Sequence, residues 1–160
     1  MSDLAPVMAV VQRILPASPD AVYDEWLDAE GMTEWMCPRP TRPTKIALDP
    51  RVGGRIRIDI DDQGFAVTIV GEYLELDRPD RIRFTWWCTT WEPVDQGSVV
   101  TVLLEPQGDE HTLMTIHHTQ LPPTLIDGHQ RGWTLTADQF ADWLERRLPK
   151  SATPEPPEGR

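Results

Sequence analysis

The chain has 160 residues, enough for one domain with a sizeable core and short for two. Hydrophobic residues make up 39%, which with ten glycines is a globular composition and excludes wholesale disorder. A formal net charge of -11 repels phosphate backbones and anionic lipid surfaces, so neither nucleic acid nor membrane insertion is expected.

Residues 1–6 read as a flexible start and 7–148 as the single domain. The opening run is acidic at its start and broken by Gln12 and Arg13, the pattern of neither a signal peptide nor a membrane span. Val7 to Leu15 is β-rich and closed by Pro16. Ser18 then suits a helix cap and Pro19 its first position, with Val22, Trp26 and Leu27 on one face. Gly31 separates this from a second short helix expected to end with Trp35 and Met36, before Cys37 and Pro38. PRPTRPT reads as a proline-stiffened loop.

Ile46 to Asp49 is a brief strand, and Gly53 and Gly54 serve a turn, since no P-loop lysine follows them. GRIRIDID alternates, with Ile56, Ile58 and Ile60 on one side and Arg55, Arg57 and Asp59 on the other, as in a half-buried antiparallel strand. Phe65 to Leu76 follows a hairpin turn, and RIRFTWWCT places Ile82, Phe84, Trp86 and Cys88 opposite Trp87. Val99 to Glu105 and Thr112 to Gln120 complete the strands, joined by turn signals at PVDQG and PQGDE. In the last of them Met114, Ile116 and His118 share a face, and His117 points away.

After Pro122 and Pro123, Thr124 is the expected cap of a long amphipathic helix, with Asp127 completing a capping box. Trp133, Ala137, Phe140 and Leu144 recur at helical spacing, with Leu148 one turn on, so one apolar stripe needs a surface to cover. From Pro149 onward, PKSATPEPPEGR reads as a disordered tail.

That order of elements, carried by RILPASPDAVYDEW, EGMTEWMCP, DPRVGGRIRI, GEYLELDRPDRIRFTW, SVVTVLLEPQGDEHTLMTIHH and HQRGWTLTADQF, resembles the START-like (SRPBCC) superfamily. Within it the chain is similar to the family homologous to the activator of heat-shock-protein-90 ATPase. The resemblance implies an α+β helix-grip fold: a curved antiparallel sheet of six to seven strands around the long C-terminal helix, with a hydrophobic cavity between. It also implies a choice of functions. Co-chaperone members stimulate a chaperone, bacterial relatives are credited with apolar ligands, and superfamily members include lyases, cyclases and lipid-transfer domains. The family's shared residues offer no catalytic set to carry over.

The expected ligand-binding wall collects the inward faces: Ile58, Trp86, Cys88, Met114, Ile116 and His118 from the sheet, Trp35 and Met36 from the short helices, and Trp133, Ala137 and Phe140 from the long helix. The competing reading is that the same residues close-pack as an ordinary core. His118, Cys88 and the Trp86 indole N–H are the polar groups that would orient a ligand. Gly128 and Gly132, four apart, suit a cavity mouth or close backbone packing equally.

Of seven tryptophans, Trp26, Trp35, Trp86 and Trp133 suit a pocket or core, whereas Trp87, Trp91 and Trp143 read as filler or interface. An outward Trp87 favours a homodimer. A Cys88–His118 nucleophilic pair would activate the thiol but lacks an oxyanion hole or an orienting carboxylate, and Glu72 or Glu75 would serve as a general base only from the cavity side, whereas most strand glutamates are solvated.

His111, His117, His118 and His129 form no metal motif, so neither metal nor cofactor is expected. Cys37 and Cys88 without a CxxC suit a reducing cytosol. The function expected from all this is binding of an apolar or aromatic small molecule. Its alternatives are an enzyme of cyclase, lyase or hydrolase type using His118, and a protein-interaction module of the chaperone-activator kind.

Overall fold

Alternation of apolar and polar residues becomes seven antiparallel strands in the computed structural model, which describes residues 8–91 and 97–147. The expected flexible start, the tail from 149 and Leu148 lie outside the described residues, as does most of the PVDQG turn. The elements run β1 (Met8–Leu15), α1 (Pro19–Trp26), α2 (Ala29–Met32), β2 (Arg42–Leu48), β3 (Arg55–Asp62), β4 (Phe65–Asp77), β5 (Arg81–Cys88), β6 (Ser98–Pro106), β7 (Thr112–Thr119) and α3 (Ile126–Arg147). This is the helix-grip arrangement, a curved sheet with the long helix packed on its inner face.

Strand order is β1-β7-β6-β5-β4-β3-β2. Six successive strands therefore meander, and β1 joins the far side by pairing with the last of them, Val11 opposite Ile116. Period-two patterning sets the faces. Ile56, Ile58 and Ile60 of β3 and Ile82, Phe84, Trp86 and Cys88 of β5 are buried, while Arg55 and Arg57 are exposed. Register shifts between Tyr73 and Glu75 of β4, and between Pro43 and Lys45 of β2, bend the sheet as bulges do.

Several boundaries differ from the expectation, each for a physical reason. β2 begins at Arg42, four residues earlier than expected, and contains Pro43. It is an edge strand, so an N–H missing on its free side removes nothing from the ladder. α2 ends at Met32, and Trp35 and Met36 follow in turns. Cys37, with φ of 74°, reverses the chain just before Pro38.

At the long helix Thr124 is not the cap. Pro123–Leu125 forms a 3-10 turn with no side-chain cap, and the α-helix starts only at Ile126.

One half of the space under α3 is filled by aromatic side chains. Trp35 stacks on Phe140 with centroids 3.9 Å apart, and Trp26 packs edge-on to Trp35 at 5.0 Å. Buried Glu25 fastens this end, bonding Arg147 Nε at 3.1 Å and accepting from the Trp143 indole at 3.3 Å. The other half, under the first turns of the helix, is hollow.

Candidate functional site

The hollow is a cavity of about 350 Å³ between the inner face of β3–β5, the loop after α2 and the start of α3. That is within the ~300–1,000 Å³ of small-molecule sites. The sheet supplies Ile60, Val67, Ile69, Trp86 and Cys88, with Asp62 at the end of β3. The 3-10 turn supplies Leu125, and α3 supplies Gly128, His129, Gly132, Trp133 and Thr136, which recur at helical spacing and form one stripe. The two glycines keep that stripe low. A Cβ at Gly128 would meet nothing within 4 Å, and one at Gly132 only Pro38 Cγ at 3.8 Å.

The rim is a loop without regular structure, Met36 to Thr41, that the helix holds in place. The Gln139 amide donates to the carbonyls of Trp35 at 3.0 Å and Cys37 at 2.7 Å and accepts from the Arg39 N–H at 2.9 Å. Arg39 in turn aims its guanidinium at the carbonyls of Glu34, Met36 and Cys37. These bonds offset the left-handed backbone at Cys37. The Cys37 thiol lines the cavity, and burial pushes its pKa up to about 12, against the pull of Arg39, so it stays a neutral thiol.

Behind the wall runs a closed chain of hydrogen bonds. The Trp133 indole donates to His118 Nδ1 at 3.0 Å, and His118 Nε2 lies 2.7 Å from Ser98 Oγ, which donates to the Trp86 carbonyl at 2.7 Å. An indole can only donate, so Nδ1 is the acceptor and Nε2 carries the proton. His118 is fully buried with both nitrogens engaged, so it has neither a lone pair nor a proton to offer a substrate.

His129 is different. Its Nδ1 lies 2.9 Å from the Leu125 carbonyl and is the donor there, leaving the Nε2 lone pair without a partner among the described residues. Its ring lines the cavity between Trp91, at 5.6 Å, and His118, at 5.0 Å. Burial lowers its pKa against the opposing bond to Leu125, which favours the neutral ring. Thr136, also on the wall and buried, makes no hydrogen bond among the described residues. Asp62 is the only charged side chain on the described wall; it is exposed and bonds Thr41 Oγ1 at 2.9 Å.

A family model described as "Activator of Hsp90 ATPase homolog 1-like protein" matches residues 16–145, most of the chain. The chain belongs to this family. Comparison with functionally curated proteins gives no significant match. Solved structures share the family's fold. The AHSA1 protein from Silicibacter pomeroyi is 21% identical with TM-score 0.74, covering 88% of this chain and 99% of that one. Protein CV1439 from Chromobacterium violaceum is 25% identical with TM-score 0.71, covering 86% and 96%. PFC0360w, an HSP90 activator from Plasmodium falciparum, is 23% identical with TM-score 0.59, covering 73% and 75%.

In this Activator of Hsp90 ATPase homolog 1-like chain, four of the eleven residues expected on the wall do line the cavity: Met36, Trp86, Cys88 and Trp133. Trp35, Ile58, Met114, Ile116, Ala137 and Phe140 are packed into the closed half of the core, and His118 lies behind Trp133. The conceivable Cys88–His118 pair does not form; Cys88 Sγ lies 3.1 Å from Thr90 Oγ1 instead. Glu72 is exposed on the outer face, and Glu75 pairs there with Arg81 and Arg83. Trp87 lies outward as expected, but Trp91, read as filler or interface, lines the cavity and packs edge-on to Trp87 at 5.5 Å.

Sequence reasoning missed His129, Thr136 and Trp91. For the first two a signal existed: they lie on the same helical stripe as Gly128 and Gly132. Among the described residues no group of three or more His, Cys, Asp or Glu side chains converges as a metal site, and no helix is long and apolar enough to cross a membrane.

Proposed function

We propose that this protein binds an apolar or aromatic small molecule in the cavity under the first turns of α3. The observation that carries this reading is the 350 Å³ space itself, walled by Trp86, Trp91 and Trp133 and floored by two glycines that leave the helix backbone bare. Each glycine costs the helix about 1 kcal/mol relative to Ala, and neither is needed for close packing against another element. A conventional core would place side chains there. The enzyme alternative built on His118 has no such support, because both ring nitrogens are bound within the fold.

The experiment is to refill the space. Gly132→Leu, alone and with Gly128→Leu, is expected to abolish binding of a hydrophobic fluorescent probe while the unfolding midpoint holds or rises. The intrinsic fluorescence of the wall tryptophans follows the titration. Retained probe affinity in the double variant would place the site elsewhere. Native mass spectrometry of protein purified from its own host is expected to show a co-purifying apolar molecule. Ala137→Leu and Phe140→Trp are unsuitable fillers, because those residues pack in the closed half.

A second reading, protein interaction of the chaperone-activator kind, is favoured by the family description and by likeness to the Plasmodium falciparum HSP90 activator. Under it, stimulation of a chaperone ATPase would survive cavity filling. A homodimer through the outer sheet face, where Trp87 is half-buried, belongs to the same set of proposals; sedimentation showing only monomer removes it.

A further inference from the structure

Resting on the cavity reading above, we propose that the occupant is an uncharged aromatic molecule bearing a hydroxyl group, which donates a hydrogen bond to His129 Nε2, and that carboxylates are rejected. On the helix-side wall the Nε2 lone pair of His129 and the hydroxyl of buried Thr136 have no partner among the described residues. They are seven residues apart, roughly 10 Å along the axis, with Gly132 leaving the backbone open between them. A hydroxyl suits His129 because it can donate to the free lone pair. A ketone or ether can only accept and leaves the imidazole unsatisfied.

Charge decides against an anion. No cationic side chain lies on the described wall, and the Arg39 guanidinium behind the rim is aimed at backbone carbonyls. Asp62 puts a negative charge on the wall of a molecule whose net charge is -11. An ionised carboxylate entering here would lose its water without gaining a partner. The tryptophan rings of Trp86, Trp91 and Trp133 favour a flat aromatic body over a linear chain.

Four probes of one ring size test this: naphthol, methoxynaphthalene, naphthalene and naphthoate, titrated at neutral pH by tryptophan fluorescence and calorimetry. Naphthol is expected to bind roughly three- to tenfold more tightly than methoxynaphthalene, which keeps the oxygen and loses the proton. Naphthoate is expected to be the weakest, by at least about tenfold relative to naphthol. His129→Phe keeps an aromatic ring and removes the lone pair, so it should erase the advantage of naphthol over methoxynaphthalene. In the unsubstituted protein the His129 Nε2 nitrogen resonance should shift with naphthol and not with methoxynaphthalene, a readout that does not depend on the variant folding.

Equal binding of naphthol and methoxynaphthalene, or a preference for naphthoate, overturns the inference while the cavity reading stands. An unmoved Nε2 resonance with tight naphthol binding overturns the role of His129. If none of the four binds, the cavity reading falls and this inference with it.

Discussion

The imidazole of His118 is surrounded by apolar side chains, and burial, with some help from His129, pushes its pKa from an ordinary 6.5 down to about 3. The hydrogen bonds point the same way, since a second ring proton would face the indole N–H of Trp133. A folded-state value below the unfolded one means that stability is complete above pH 6.5 and falls as pH drops toward 3, because only the unfolded chain takes up the proton. The slope from one such group is up to ~1.4 kcal/mol per pH unit. Chemical denaturation of the protein and of His118→Gln across that window checks this. The unsubstituted protein should show the steeper loss, and parallel curves would mean that His118 is protonated in the fold. A residue that looked like a catalytic candidate at the end of an apolar row thus acts as a neutral tie between β7, β6 and α3.

The faces of the elements were legible in the sequence, and the space they enclose was not. Alternation in β3, β5 and β7 and the stripe of α3 correctly put Ile58, Trp86, Met114, Ala137 and Phe140 inside. Facing inward does not say whether a residue meets a partner or a void. That depends on Trp26 and Trp35, which arrive from α1 and the loop after α2 and fill one half, and on Gly128 and Gly132, which withdraw from the other. Trp91 was unreadable because it follows β5 outside any period, and the start of β2 because Pro43 masks a strand that only an edge allows.

The other edge shows a second device carried by α3. The Gln130 amide accepts from the Val10 N–H at 2.9 Å and donates to the Val10 carbonyl at 2.7 Å, pairing with β1 as a neighbouring strand would. Gln130→Ala is expected to speed amide exchange at Val10 well beyond that in β7, with a stability loss of only about 1 kcal/mol because the site is exposed. Unchanged exchange at Val10 would mean that the edge is protected by packing alone.

Over the whole molecule, charge is in excess and its pairing is weak. Of the ion pairs among the described residues, only Glu25–Arg147 has a buried member; in all the others both side chains are at least 29% exposed. Exposed pairs contribute ~0–1 kcal/mol each, whereas a net charge of -11 opposes compaction through many unpaired repulsions. The two effects respond to salt in opposite directions. Screening shortens the Debye length from ~10 Å at 0.1 M to ~3 Å at 1 M, removing long-range repulsion first and leaving the partly buried Glu25 pair largely intact. The unfolding midpoint should therefore rise with sodium chloride between these concentrations, measured by thermal melts followed through tryptophan fluorescence. Glu25→Gln removes one negative charge and the buried pair together, so it should lower the midpoint at every salt concentration while keeping the upward trend. A midpoint that falls with salt in the unsubstituted protein would reverse the order of these terms and make the surface pairs, not the packed core, the main electrostatic support of the fold.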